Sequence, residues 1–249
     1  MNDSLKTIPL LNVLIALSPA IVVVLIMIRW SMNSRVAIQA LGRMLVQLLL
    51  VGFILTYIFE TNRPSIVALV LCVMLLAASR IALGPLQAQQ RSLFPKALAA
   101  ISIAGIPTLL LVTQVVLRLE SWYQPDYVVP LAGMIFANCM NAVSLSAERF
   151  GAELERRCTY IEARRVALKT SLIPLTNSLM AVGLVSIPGM MTGQILSGVA
   201  PLVAVRYQIV VMSMIFGSAG IASASYLMLL KPRSECGSGD HDGGARGGT

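Results

Sequence analysis

Four stretches of this chain, residues 7–28, 97–117, 127–147 and 207–230, run without a single charged side chain. Each is close to the ~20 residues that a helix needs to cross a hydrocarbon core. No soluble fold explains that pattern. Only 12% of the residues are charged, 57% are hydrophobic and the mean hydropathy is +0.80. Soluble domains carry about 25% charged residues, so this chain lacks the polar surface to cover a core in water. A bilayer removes the need.

Shorter apolar runs add to the count. Residues 44–59 reach spanning length if 36–41 continue them, and 64–79 do so if Arg63 or Arg80 snorkels at an end. Residues 170–205 are too long for one span and are interrupted by Pro174, Pro188-Gly189 and Pro201. One span over roughly 176–198 is predicted there. The expected fold is an all-α, polytopic membrane protein of about seven transmembrane helices. Residues 1–230 form the membrane domain. The Gly-rich polar tail, 231–249, is expected to be disordered. The first span is too long for the apolar core of a cleaved signal peptide, and Asp3 balances Lys6.

Positive charge sets the expected orientation. With seven spans, fifteen of the 19 Lys and Arg fall on one side, and Lys6, Arg63, Arg118 and Arg206 on the other. The N-terminus is therefore expected outside and the C-terminus in the cytoplasm. The net charge of +8 then faces anionic lipid heads, and no nucleic acid is needed to account for it.

Several chemistries are excluded. There is no Gly-x-x-x-x-Gly-Lys-Ser/Thr phosphate loop. The sole histidine, His241, lies in the tail, which rules out a Ser–His membrane hydrolase and a histidine zinc site within the spans. No Asp or Glu lies deep in a span, which rules out an intramembrane aspartyl protease and disfavours a proton-coupled carrier. The chain is not expected to be an enzyme or to hold a cofactor. Cys72, Cys139, Cys158 and Cys236 have no metal or disulfide spacing and are expected to be free thiols.

The polar residues that remain are neutral. Gln47 lies one turn beyond Arg43. Asn138 and Asn141 share a face of the fifth span, and Asn177 opens the sixth. Each makes either an interhelical hydrogen bond, worth about 0.6 kcal/mol, or a contact along a substrate route. The 13 methionines fill gaps in apolar packing or offer thioethers to a soft metal; Met134, Met140 and the Met190-Met191 pair are the ones beside polar or broken segments. Pro188-Gly189 breaks the sixth span, and Gly189 and Gly193 form a small-x-x-x-small pair. That break is either a packed kink or a gate. The long polar segment 148–169 is expected to be a basic helix. Glu153–Arg157 and Glu162–Arg165 stand at pairing distances along it. It either rests on lipid or docks a cytoplasmic partner.

The run Val182-Gly183-Leu184-Val185-Ser186-Ile187-Pro188-Gly189-Met190-Met191-Thr192-Gly193 closely resembles the signature of the Fet-type permease family. Bacterial iron-export permeases and plant aluminium-tolerance permeases belong to it. Arg206-Tyr207-Gln208-Ile209-Val210, the stretch 43–52, and Val129-Pro130-Leu131-Ala132-Gly133-Met134 with Asn138 extend the likeness over residues 36–230. The resemblance implies the permease of an ATP-binding-cassette exporter in a bacterial inner membrane, with iron as its cargo. It implies a permease homodimer, powered by a separate FetA-like ATP-binding subunit that alone uses ATP. Gly183, Pro188, Gly189 and Gly193 within this run are the residues of the kink or gate. Arg156, Arg157, Glu162, Arg164 and Arg165 become docking residues for that subunit. Two departures stand out. Ala137 replaces a glycine frequent in relatives. After Ile161-Glu162-Ala163 the relatives' Leu-Gly-Ala-Thr-Pro stretch is missing, and that stretch resembles a coupling loop. An ATP-independent channel or carrier, a membrane scaffold, and a nucleotide-sugar cargo therefore stay open as alternatives.

Overall fold

The computed structural model describes residues 9–230 except 33, 61–62, 85, 87–89 and 157–158. Arg157, Cys158 and the tail with Cys236 and His241 lie outside the described residues. Nine helices are described: α1 (Leu10–Ala16), α2 (Ser18–Arg29), α3 (Ser34–Glu60), α4 (Pro64–Ala82), α5 (Gln90–Leu110), α6 (Pro125–Glu155), α7 (Tyr160–Ala181), α8 (Gly189–Leu196) and α9 (Pro201–Leu229). A wide π-helical turn, Leu111–Val116, continues α5. Proline opens α2, α4, α6 and α9, where its fixed φ suits a helix start and its missing N–H is not needed.

Six helical stretches are long and apolar enough to cross a bilayer: Leu11–Arg29, Ser34–Gly52, Pro64–Ala82, Gln90–Val116, Pro125–Glu155 and Pro201–Leu229. The segment expected as the sixth of seven spans, 176–198, is not one helix. It comprises the last residues of α7, an unwound stretch at 182–188, and the short α8. The helical part α7 begins far earlier, at Tyr160, inside the basic segment.

The core is made by α4, α5, α6 and α9, with α7 packed on α6 and α9. Lipid is as apolar as leucine, so helices in a bilayer hold together by close packing and polar contacts. The sequence supplies small residues for this. Ala97, Ala100, Ala104 and Gly105 line the buried face of α5, and Ala219, Ala222 and Ser223 that of α9. Gly105 sits under the ring of Phe136: a Cβ there would lie 2.7 Å from Phe136 Cε1. Ser171 of α7 and Ser223 of α9 join their hydroxyls at 2.8 Å, and Ser171 also donates to the Leu168 carbonyl at 2.9 Å. The first three helices stand apart. No residue of α2 is buried; α2 packs on α3, and α3 touches α6.

The bundle has two chemically distinct ends. At one end Leu86 and Leu93 meet Phe150, Leu154, Tyr226 and Leu230, which gathers Arg80, Arg91, Arg149, Arg156, Arg164 and Arg165 nearby. At the other end Leu117, Asp126, Val203 and Tyr207 share one cavity. At 31 residues, α6 is about 46 Å long at 1.5 Å per residue, against a hydrocarbon core of about 30 Å. Its basic end therefore projects beyond the apolar layer.

Candidate functional site: a broken span between two cavities

The unwound segment is closed by backbone hydrogen bonds. The Ala181 carbonyl accepts from the N–H groups of Leu184, Val185 and Ser186 at 3.2, 2.8 and 3.2 Å. Gly183 turns through φ +82°, a left-handed value that costs any other L-residue about 1–2 kcal/mol. Its N–H donates to the Ser186 carbonyl at 3.0 Å. Pro188 then stands at the N-cap of α8, where it cannot extend a helix backwards. At the far end, Gly198 N–H reaches the Ile195 carbonyl and Val199 N–H the Gln194 carbonyl, both at 3.0 Å, with Gly198 at φ +91°. That is the paired-bond helix stop that a glycine permits. Leu184 and Val185 at the tip are 89% and 85% exposed. A methyl at Gly189 or Gly193 would meet open space, so the close approach their spacing allows is not made among the described residues.

Two cavities flank α8 and α9. The first, about 610 Å³, is walled by the end of the π-turn, by Asp126, Tyr127, Pro130, Leu131 and Met134 of α6, by Met190 and Gln194 of α8, and by Val203, Tyr207, Val210 and Val211 of α9. The second, about 580 Å³, lies between α7, the unwound segment and α9. Gly183, Ile187, Pro188, Met191, Gln208, Met212 and Ser213 line it. Each cavity has one glutamine whose carbonyl oxygen, Gln194 Oε1 or Gln208 Oε1, is buried without a hydrogen-bond partner. A buried amide oxygen with no partner costs about 1–3 kcal/mol, so both oxygens are available to a donor or a cation. The adjacent Met190 and Met191 face different cavities.

The residues expected to line a route stand outside these two cavities. Asn138 is half-buried in α6, and its Nδ2 donates to the Met134 carbonyl of its own helix at 2.8 Å. Asn141 and Asn177 are exposed, on α6 and α7. Gln47 is exposed on α3, where its amide oxygen, turned toward Arg43, accepts from Nε at 2.9 Å and Nη2 at 3.3 Å. None of the four lines either large cavity. Gln194 and Gln208 do, and they were not singled out as site residues in the sequence. Each is a lone amide in an apolar run.

The basic segment is a helix hairpin rather than one projecting helix. Residues up to Glu155 finish α6, and α7 starts at Tyr160. Thr159 caps α7, its hydroxyl accepting from Glu162 N–H at 3.4 Å. Glu153 pairs with Arg149 at 2.5 Å and more loosely with Arg156 at 3.9 Å. Among the described residues, no ion pair joins Glu162 to Arg165. Arg164 instead lies over the Tyr160 ring, 5.6 Å from its centre. Tyr160 packs edge-on against Phe150, and its hydroxyl donates to the carbonyls of Leu227 and Leu230. The hairpin is thereby tied to the end of α9. Arg164 and Arg165 border a cavity of about 340 Å³ floored by Leu168, Ala224 and Leu227.

These features define a multi-pass, all-α membrane protein with a broken helical segment beside two cavities, between its last two long apolar helices. The chain belongs to the uncharacterised protein family UPF0014, whose model matches residues 10–234. It is 36% identical to a UPF0014 membrane protein of Synechocystis over 70% of this chain and 73% of that one. It is 31% identical to the probable iron export permease protein FetB of Escherichia coli, over 88% and 91% of the two chains. With the protein ALUMINUM SENSITIVE 3 of Arabidopsis thaliana it shares 28% identity over 93% and 90%. No solved structure matches the chain.

Proposed function

We propose that this chain is the permease subunit of an ATP-binding-cassette exporter that moves iron out across a bacterial inner membrane. The observation that carries the reading is the likeness to the Escherichia coli iron export permease over almost the whole of both chains. The broken span adds physical support. Unwound backbone at membrane depth is tolerated where protein or a cavity covers it, and such breaks commonly border transport sites. In this reading the basic end of the bundle faces the cytoplasm and the Asp126–Tyr207 end faces outward. A separate FetA-like ATP-binding subunit hydrolyses ATP, and two permease chains associate.

The docking surface for that subunit would be the α6–α7 hairpin. Its two helices are joined by residues 156–159 alone, so the exposed arginines sit on helix ends that are themselves tied to α9 through Tyr160. Force applied to the hairpin would pass along α7 directly into the break at 182–188. Electrostatic docking of this kind is reversible and oriented. The test is co-expression of the tagged chain with a FetA-like ATP-binding subunit. The two should co-purify, and Arg164→Glu with Arg165→Glu should abolish that. No association in any detergent, with the permease intact, would contradict the reading. Iron flux through the permease alone in vesicles would instead favour an ATP-independent channel, the reading that the shortened hairpin supports.

A further inference from the structure

The groove of about 340 Å³ at the basic end is built by two helix faces. On α7 the face is Ile161, Arg164, Arg165 and Leu168, spaced i, i+3, i+4 and i+7, which is one stripe of a helix. On α9 it is Ala224, Leu227 and Met228, spaced i, i+3 and i+4. The α9 wall belongs to the uncharged run 207–230, so it borders hydrocarbon. Ile161 and Met228 are 71% and 67% exposed, so apolar side chains form the open rim.

The two ends of the groove differ. Tyr160, bonded to the Leu227 and Leu230 carbonyls, marks the basic end. The Ser171–Ser223 hydroxyl pair marks the deeper end. Arg164 lies over the Tyr160 ring, toward the start of its helix, the direction in which helical side chains lean. Leu168 and Ala224 lie toward the deeper end. No carboxylate lines the groove, and among the described residues neither arginine forms an ion pair. Cations at one end and an apolar floor at the other match the polarity of a phospholipid. The guanidinium fork matches phosphate oxygens, and basic pockets between membrane helices hold phosphate head groups.

We propose that this groove seats an anionic phospholipid, its phosphate held by the Arg164 and Arg165 guanidinium groups and an acyl chain laid over Leu168, Ala224 and Leu227. The inference rests on the chain's lying in a bilayer, not on the exporter reading. A soluble anion would leave the apolar half of the groove unused. Both arginines also belong to the proposed docking surface, so a variant that keeps them is needed to separate the two roles.

The experiment uses the full-length chain purified in detergent and incubated with phosphatidylglycerol or phosphatidylcholine, with bound lipid read by native mass spectrometry. The wild type is expected to hold phosphatidylglycerol the more tightly. Arg164→Gln with Arg165→Gln should weaken phosphatidylglycerol about fivefold for each arginine removed, the worth of one basic residue near an anionic lipid surface, and leave phosphatidylcholine unchanged. Arg29→Gln with Arg35→Gln, at the adjoining ends of α2 and α3, should change neither. Ala224→Phe, which fills the floor and keeps both arginines, should also weaken phosphatidylglycerol. If that variant fails to fold, Met228→Glu on the exposed rim should do the same by offering the arginines a carboxylate. No preference in the wild type, equal loss in the two arginine pairs, or full binding in the groove variants would each overturn the proposal. Displacement of phosphatidylglycerol by inorganic phosphate would overturn it too, in favour of a free anion. The two readings fail separately, because lipid binding is read without ATP or a second subunit. Its loss leaves the exporter standing, and a chain that binds lipid but never an ATP-binding subunit leaves the groove standing.

Discussion

Replacing Gly105 by alanine should destabilise the bundle, while the same substitution at Gly220 should not. An alanine Cβ at position 105 would lie 2.7 Å from Phe136 Cε1, 3.0 Å from Cδ1 and 3.4 Å from Ile135 Cγ2. Carbon atoms prefer separations of about 3.5–4.0 Å, so the ring must retreat by roughly 0.8 Å. It has little room: Phe136 is 3% exposed and Ile135 fully buried. Overpacking of this kind costs about 1–3 kcal/mol. The gain in helix propensity from glycine to alanine, about 1 kcal/mol, offsets part of it, leaving a net loss of up to about 2 kcal/mol. At Gly220 the new methyl would meet only Leu172 Cδ2, at 3.7 Å, an ordinary contact. There the propensity gain stands, so the protein should be unchanged or more stable by up to about 1 kcal/mol. Denaturant unfolding of the two variants in the same detergent, followed by tryptophan fluorescence, measures the difference. Gly105→Ala proving as stable as Gly220→Ala would refute the packing of α5 against α6 described above.

Other expectations follow from single contacts. Ser171→Ala, Ser223→Ala and the double variant should give a coupling energy of about 0.6 kcal/mol, and not above ~2, in the same unfolding assay; zero coupling would mean the 2.8 Å contact does not form. Tyr160→Phe removes the hydroxyl that ties the hairpin to the end of α9 and should cost about 1 kcal/mol. It should also lower ATPase-coupled transport more than it lowers binding of the ATP-binding subunit; equal effects on both would assign Tyr160 to docking instead. Gly183→Ala should destabilise by roughly 1–2 kcal/mol because of its left-handed φ, whereas Gly193→Ala, in a helix with open space around it, should be neutral or stabilising. The reverse order would argue against the break as described.

The membrane spans could be read from the sequence because they depend on composition alone. A run without charge, such as 127–147, announces itself whatever its neighbours are. The structure extends that span to Pro125–Glu155, since α6 carries its helix on into the basic segment. The break between α7 and α8 was also signalled, by Pro188-Gly189, but its extent was not. Where α7 begins depends on the Thr159–Glu162 cap, and where it ends depends on the left-handed turn at Gly183, two local geometries that a hydropathy pattern does not carry. The site residues were the least legible. Asn138 is a polar residue in an apolar run, and that its Nδ2 donates to its own helix is a matter of one rotamer. Gln194 and Gln208 matter because helices distant in sequence wall the spaces around them, and no spacing along the chain reveals that. Met134 and Met190 were marked among the polar-flanked methionines, but only the fold shows that they share a cavity.

The central claim is that this permease exports iron when a separate subunit spends ATP. Inside-out membrane vesicles containing the chain and a FetA-like ATP-binding subunit test it most directly, by uptake of radioactive iron with and without ATP. Uptake that requires ATP and both subunits, and that falls when the Arg164–Arg165 docking pair is reversed in charge, is the predicted result. Iron uptake that is indifferent to ATP, or absent in vesicles where both subunits are present and ATP is hydrolysed, would contradict it.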